Sequence, residues 1–163
     1  FSVIDLDKKI KLLDVKAGRG TEGISVTPDG KEIWVGNNDS RSIMVFDAAS
    51  FEKLSEIKTD GIPIRVEISP DGKTAAVSEP DTNSVSIYDV EKRQKVTEID
   101  VSQAGGKTPV TLLFSPDGTV LWAATTQAAR VIEISTTDWT ITRSFSAGRG
   151  SDGLGYSKSS SSK

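Results

Sequence analysis

The chain contains neither cysteine nor histidine among its 163 residues. The absence of cysteine excludes disulfides, thiolate metal sites and cysteine nucleophiles. The absence of histidine removes the commonest zinc ligand and general base, and with them any Ser-His-Asp triad supplied by this chain. Acidic side chains could still transfer protons, with Glu22, Glu67 and Asp152 as the candidates, but no catalytic motif surrounds them. We therefore predict no catalytic residue, no metal site and no cofactor within this sequence.

Long apolar runs and excess positive charge are also missing. No stretch approaches the ~20 apolar residues of a membrane span, so we expect no membrane insertion. The 20 basic residues are outnumbered by 23 acidic ones, which gives a formal net charge of −3. This balance provides no broad basic field, so nucleic acid is not an expected partner. With 36% hydrophobic and 26% charged residues, the composition is that of an ordinary globular chain of about one domain.

A Pro-Asp-Gly turn recurs three times in the sequence. It occupies residues 27–30, 69–72 and 115–118, at spacings of 42 and 46 residues. The Ala-Gly-Arg-Gly loop at 17–23 returns 130 residues later at 147–153, which is the sum of 42, 46 and a further 42. Because both series share one register, the chain is built from repeats of about 42 residues.

Each repeat alternates apolar and polar residues with a period of two and contains four short segments separated by Gly, Pro, Asn and Asp. Four antiparallel strands repeated every 40–45 residues are the signature of a β-propeller blade. We therefore predict an all-β propeller with three complete blades and parts of a fourth. The predicted boundaries are a partial blade at 1–16, blades at 17–58, 59–102 and 103–146, the first strand of a next blade at 147–157, and a flexible Ser/Lys tail at 158–163.

Three segments of the middle repeat resemble the YVTN-type propeller repeat. They are the Ser-Pro-Asp-Gly-Lys turn at 69–73, the Val-Ser-Ile-Tyr-Asp strand at 85–89 and the Gly-Ile-Pro entry at 61–63. The sequence departs from that pattern at Ser135, which replaces an aspartate, and at Thr21, which replaces the entry proline. The family includes archaeal surface-layer proteins and bacterial periplasmic propellers, and it is related to lactonase-like and nitrite-reductase-like propellers.

The resemblance implies a non-enzymatic binding scaffold of the cell envelope or surface, in a periplasmic, surface-exposed or secreted setting. The alternative is part of a propeller enzyme, a lactonase-like hydrolase or a redox protein, whose catalytic residues lie outside this chain. Relatives usually have seven blades, so the chain is either a piece of a larger propeller or a short member of the family. We expect self-association or further blades to complete the ring, because an open array exposes apolar blade faces.

The charged residues near the innermost strands are the predicted binding site. The repeated loops carry Arg19 with Glu22 and Arg149 with Asp152 at one mouth of the channel. Arg65 and Glu67 share one face of a first strand, since they are two residues apart. Either each arginine pairs with its neighbouring acid, or the guanidinium groups bind carboxylate or phosphate. A protein partner or a small anionic ligand is therefore the expected partner.

Two further sets of residues have structural interpretations. Asp29, Asp71 and Asp117 recur, but their spacing lacks the dense ligands of a calcium loop, so we predict that each binds the backbone of its own turn. Trp34 and Trp122 lie in apolar second strands and are predicted to pack between blades. Trp139, near a hairpin, is the tryptophan that we consider for surface contact.

Overall fold

A computed structural model describes residues 1–157 of the chain. The predicted tail at 158–163 lies outside the described residues. The described chain forms fourteen strands and one 3₁₀ turn at Val101–Ala104. No helix among these residues is long and apolar enough to cross a membrane. The strands are β1 Ser2–Asp5, β2 Ile10–Asp14, β3 Thr21–Val26, β4 Glu32–Asn37, β5 Ser42–Asp47, β6 Lys53–Lys58, β7 Arg65–Ile68, β8 Thr74–Glu79, β9 Ser84–Asp89, β10 Gln94–Asp100, β11 Pro109–Phe114, β12 Val120–Thr125, β13 Arg130–Ser135 and β14 Ile141–Ser146.

The strands form four antiparallel sheets in chain order. Strands β1 and β2 form a two-stranded partial blade, and β3–β6, β7–β10 and β11–β14 form three four-stranded sheets, called here blades I, II and III. The first strands lie side by side, since β7 contacts both β3 and β11. This arrangement confirms the predicted all-β propeller built from four-stranded antiparallel blades.

Residues 147–157 form no strand in the structure. A strand needs a ladder of backbone hydrogen bonds to a neighbour. Ala147 makes one such bond, to the carbonyl of Ala129, and residues 148–157 make none with another described segment. Their assignment to the first strand of a next blade stays a prediction. The segment nevertheless lies against blade III, where Leu154 and Tyr156 line a groove together with Trp122.

The repeated turns form as the sequence predicts. The Asp71 carboxylate accepts hydrogen bonds from Ser69 Oγ at 2.6 Å and from the backbone N–H of Lys73 at 3.0 Å. Asp29 and Asp117 make the same pair of bonds in their own turns. The glycine that closes each turn has a φ between 71° and 74°, a conformation that glycine adopts without strain. The prediction that these aspartates stabilise their own turns is confirmed.

The core lies between consecutive blades as three apolar clusters. Trp34 and Tyr88 pack in the cluster between blades I and II, whereas Leu112 and Phe114 belong to the cluster between blades II and III. The third cluster joins the partial blade to blade I through Val15 and Phe46. Trp34 is completely buried, so its predicted place between blades is confirmed. Trp122 is only half-buried, because it faces the side of blade III against which residues 154–156 lie.

Candidate functional site

The loop before β3 places Arg19 at the surface. Its backbone N–H donates to Ser40 Oγ at 2.8 Å, which fixes the loop and leaves the guanidinium exposed. Glu22 accepts a hydrogen bond from Asn38 Nδ2 at 2.6 Å. No salt bridge joins Arg19 to a described residue, so the pairing of Arg19 with Glu22 is not observed.

Arg65 and Glu67 lie on β7, between the other two first strands. The two side chains are half-buried, and the backbone N–H of Arg65 donates to Ser78 Oγ at 3.1 Å. Arg65 Nε is buried and has no hydrogen-bond partner among the described residues. Burial raises the pKa of the Glu67 carboxyl, and the charge of Arg65 partly offsets this rise. The two groups therefore influence each other electrostatically without forming a salt bridge.

The second copy of the Arg-Gly loop differs from the first in its contacts. Asp152 accepts a hydrogen bond from Thr111 Oγ1 of β11 at 3.0 Å, which ties residues 147–157 to blade III. Arg149 is exposed and forms no salt bridge with a described residue. The predicted pairing of Arg149 with Asp152 is therefore also not observed. Arg19 precedes β3 and Arg65 is the first residue of β7, whereas Arg149 lies in the segment after β14, whose first-strand assignment stays a prediction. We call these three residues the entry-side arginines.

Trp139 lies in a groove between the outer edges of blades II and III. The groove has a volume of about 480 Å³ and is also lined by Gln103 and Thr140. The ring of Trp139 packs against the apolar cluster between the two blades. Part of this tryptophan is therefore structural, and its role in surface contact stays a prediction. Within residues 1–157, no group of three acidic, histidine or cysteine side chains is arranged to hold a metal ion.

Sequence reasoning missed a polar cluster buried between blades I and II. Glu79, the last residue of β8, is completely buried and accepts hydrogen bonds from Ser84 and Ser86 at 3.2 and 2.8 Å. Tyr88 is buried on the same face of blade II, and its ring packs against the apolar cluster shared with blade I. A signal was available, because Glu79 stands 42 residues after Asn37, at the same position of the repeat.

Comparison with known proteins agrees with this architecture. The family model described as "Lactonase, 7-bladed beta-propeller" matches residues 7–144. The hydrazine synthase of Kuenenia stuttgartiensis superposes with a TM-score of 0.76 and 26% identity over 86% of this chain. The RRP9 WD40 repeats (TM-score 0.73, 82% of this chain) and U3-55K (TM-score 0.75, 83%) are each 16% identical and show similarity of fold alone.

The chain covers only part of these structures. It spans 40% of the matched hydrazine synthase chain, 41% of the RRP9 chain and 42% of the U3-55K chain. No curated protein matches the sequence significantly.

Proposed function

We propose that this chain, which belongs to the lactonase family of seven-bladed β-propellers, is a non-enzymatic binding scaffold. Its entry-side arginines bind an anionic group, a carboxylate or phosphate, on a small ligand or protein partner. Arginine suits this role because its planar guanidinium forms two parallel hydrogen bonds to such groups.

The absence of salt bridges at these arginines carries the proposal. Within residues 1–157, Arg41, Arg93 and Arg143 each pair with a carboxylate, and the guanidinium of Arg130 donates to Ser144. The guanidinium groups of the three entry-side arginines make neither kind of contact with a described residue. Arg65 adds a buried Nε that lacks a protein acceptor. A buried donor without an acceptor is costly, so an anion at this position would be stabilised by it.

Calorimetric titration with citrate and with inorganic phosphate tests the proposal. We expect the R19A/R149A variant to bind at least about tenfold more weakly, a loss of about 1.4 kcal/mol. Its melting temperature should stay within about 2 °C of the parent, because exposed arginines contribute little to stability. The matched control is K31A/K73A, which removes the same charge at exposed lysines of two Pro-Asp-Gly turns. Equal loss of binding in the control, or no loss in the arginine variant, would overturn the proposal.

The finer family assignment and the cellular setting are part of the same proposal. We assign the repeat to the YVTN type on its Ser-Pro-Asp-Gly-Lys turn and Gly-Ile-Pro entry, and we place the protein in the periplasm, at the cell surface or outside the cell. Fractionation of cells that produce the full-length parent protein tests the setting. Recovery of the parent only with cytoplasmic proteins would contradict it.

A second candidate function is a hydrolase, which the family match favours. In this case the catalytic residues lie outside the 163 residues, and these blades complete the propeller around them. Hydrolysis of simple lactones by the full-length parent, followed with and without a metal chelator, separates the two functions. Chelator-sensitive turnover by the full-length protein, with none by this chain alone, supports the hydrolase.

A further inference from the structure

The buried carboxyl of Glu79 is only half satisfied by the protein. Its Oε2 accepts from the two serine hydroxyls of β9, whereas its Oε1 has no hydrogen-bond partner among the described residues. The hydroxyl of Tyr88, a residue that is 1% exposed, also has no partner. A buried polar atom without a partner destabilises the folded chain, so two of them on one blade face need an explanation.

The same position in the other complete blades carries neutral residues. Asn37 is also completely buried, and its Oδ1 accepts from the backbone N–H of Gly18 and from Thr21 Oγ1, both at 2.9 Å. Thr125 is buried as well and donates to the carbonyl of Arg130 at 2.9 Å. The fold therefore accepts a neutral hydrogen-bonding side chain at the end of the second strand. Among the three complete blades, blade II alone places an ionisable group there.

The nearby charges do not neutralise Glu79 by pairing with it. Lys95 on β10 is the cation on this face of the blade, but its ammonium binds Asp60 at 2.7 Å and also Glu98. Asp81 in the turn after β8 pairs with Arg41 of blade I at 2.8 Å. From the strands of blade I, the cluster that packs against this face is apolar and includes Trp34, Ile43 and Val45. An ionised Glu79 is therefore a buried charge without a counter-ion of its own.

We propose that Glu79 is a proton-binding site buried between blades I and II, and that its ionisation loosens this blade interface. A protonated Oε1 becomes a hydrogen-bond donor and removes the buried charge, and no bond other than the O–H bond forms or breaks. Burial raises the pKa of the carboxyl. The hydrogen bonds from Ser86 and Ser84, the charge of Lys95 and the nearby backbone N–H of Gly61 partly offset the rise.

The direction of the pH effect follows from this shift. When folding raises the pKa of a carboxyl, the folded chain binds the proton more tightly than the unfolded chain does. The protonated carboxyl avoids the cost of a buried charge, and this advantage is fully present below the ordinary pKa of the group. That advantage is lost as pH rises through the raised value, and above it the full cost of the buried charge applies. The blade interface should thus weaken with increasing pH, opposite to the effect of the exposed aspartates in the turns.

The first experiment compares the whole chain with its E79Q variant, a neutral side chain of the same shape. We expect E79Q to melt at least about 3 °C higher than the parent at pH 8, and to have no such advantage at pH 4. The matched control is E98Q on β10, the outer strand of the same blade, which removes a half-exposed carboxylate from Lys95 and should give no gain at pH 8. If the melting temperatures of E79Q and the parent differ by the same amount at all pH values, the proposal is overturned.

The second experiment does not require a folded variant. Infrared difference spectra of the unmodified chain, recorded from pH 4 to pH 8, report protonated carboxyl groups directly. Besides Glu67, whose pKa is also raised by burial, we expect a second carboxyl to lose its proton above the range of the exposed acids. Amide exchange in β9, corrected for its intrinsic acceleration by base, should become faster over the same pH range. If all carboxyl groups titrate within the ordinary range, Glu79 is not a proton-binding site. If E79Q keeps both late-titrating groups, the site is elsewhere.

Discussion

At the scale of single residues, the ion pair between Arg93 and Glu32 joins blade II to blade I. The Arg93 guanidinium lies 2.6 Å from Glu32 Oε1, and the other carboxylate oxygen of Glu32 accepts the indole N–H of Trp34 at 2.9 Å. The two charged side chains are only 30% and 19% exposed. Because water screens such a pair incompletely, its loss is expected to cost more than the loss of a surface salt bridge.

We predict that R93A lowers the free energy of unfolding by about 1–3 kcal/mol. Urea denaturation at neutral pH measures the change. The matched control is K92A, since Lys92 pairs with Asp89 inside its own turn and its side chain is 69% exposed. The control should change stability by less than about 0.5 kcal/mol. Equal effects of R93A and K92A would contradict the inter-blade role of Arg93.

At the scale of elements, the three Pro-Asp-Gly turns should control acid stability. Hydrogen bonds from Thr27 and from the Lys31 backbone lower the pKa of Asp29 to about 2. The corresponding bonds in the other two turns lower the pKa of Asp71 and of Asp117. A lowered pKa means that the folded chain binds fewer protons than the unfolded chain. The stabilisation is therefore present above the ordinary carboxyl pKa and is lost as pH falls through the lowered value.

We predict that the D29N/D71N/D117N variant is less stable than the parent at pH 7 and loses less stability between pH 4 and pH 2. Urea denaturation across this pH range gives the two curves. The D7N variant, at an exposed position of the β1–β2 turn, is the control and should follow the parent. Parallel curves for the triple variant and the parent would show that the turn carboxylates do not set the acid limit.

The inner strands of blades I and II approach each other closely at Gly23. A Cβ atom on this residue would lie 2.7 Å from the Ile64 carbonyl oxygen and 2.8 Å from the Val66 nitrogen, both backbone atoms of the next blade. Backbone cannot rotate away as a side chain can, so the strands must separate to admit a methyl group. We predict that G23A costs about 1–3 kcal/mol.

Melting curves and urea denaturation measure the effect of G23A. The control is G148A, since nothing lies within 4 Å of the position where its Cβ would stand. We expect G148A to leave stability within about 0.5 kcal/mol of the parent. If G23A has the same stability as the parent, the first strands are not held at a fixed distance from each other.

The sequence was sufficient to predict most elements but not the pairing of side chains. Alternation and turn residues located strands such as β4 and β9, because a hairpin repeat is determined by local chemistry. Sequence proximity favours Glu22 as the partner of Arg19, whereas Glu22 accepts a hydrogen bond from Asn38 in the turn after β4. Such partners depend on strand register. Glu79 is buried by the packing of blade I against blade II, which its neighbours in the sequence alone do not indicate.

At the scale of the whole molecule, the terminal blades expose apolar surface. The exposed side chains on the partial blade and on β3 include Ile4, Leu6, Ile10, Leu12, Ile24 and Val26. At the other end, blade III has an apolar groove of about 330 Å³ lined by Leu113, Val131 and Phe145. Faces of this kind are normally covered, so we propose that further blades or a second copy of the chain pack against them.

The partial blade covers one side of blade I and should therefore contribute to its stability. The ring of Phe1 contacts Phe46 edge-on with centroids 5.5 Å apart, and Val15 is buried in the same cluster as Val35. Deleting residues 1–15 removes this cover and exposes Phe46 to water. We predict that the deletion lowers the melting temperature by about 5–10 °C, because a loss of several kcal/mol shifts a chain of this size by that amount.

Light scattering on the same samples reports whether the newly exposed face recruits a second copy. The matched control is L6A, which shortens a side chain that is 82% exposed and contributes little to the cluster. It should keep both the melting temperature and the mass of the parent. If the chain without residues 1–15 keeps the melting temperature and the mass of the parent, β1 and β2 are dispensable to blade I. A lower melting temperature together with a larger mass would identify this face as the one that other copies cover.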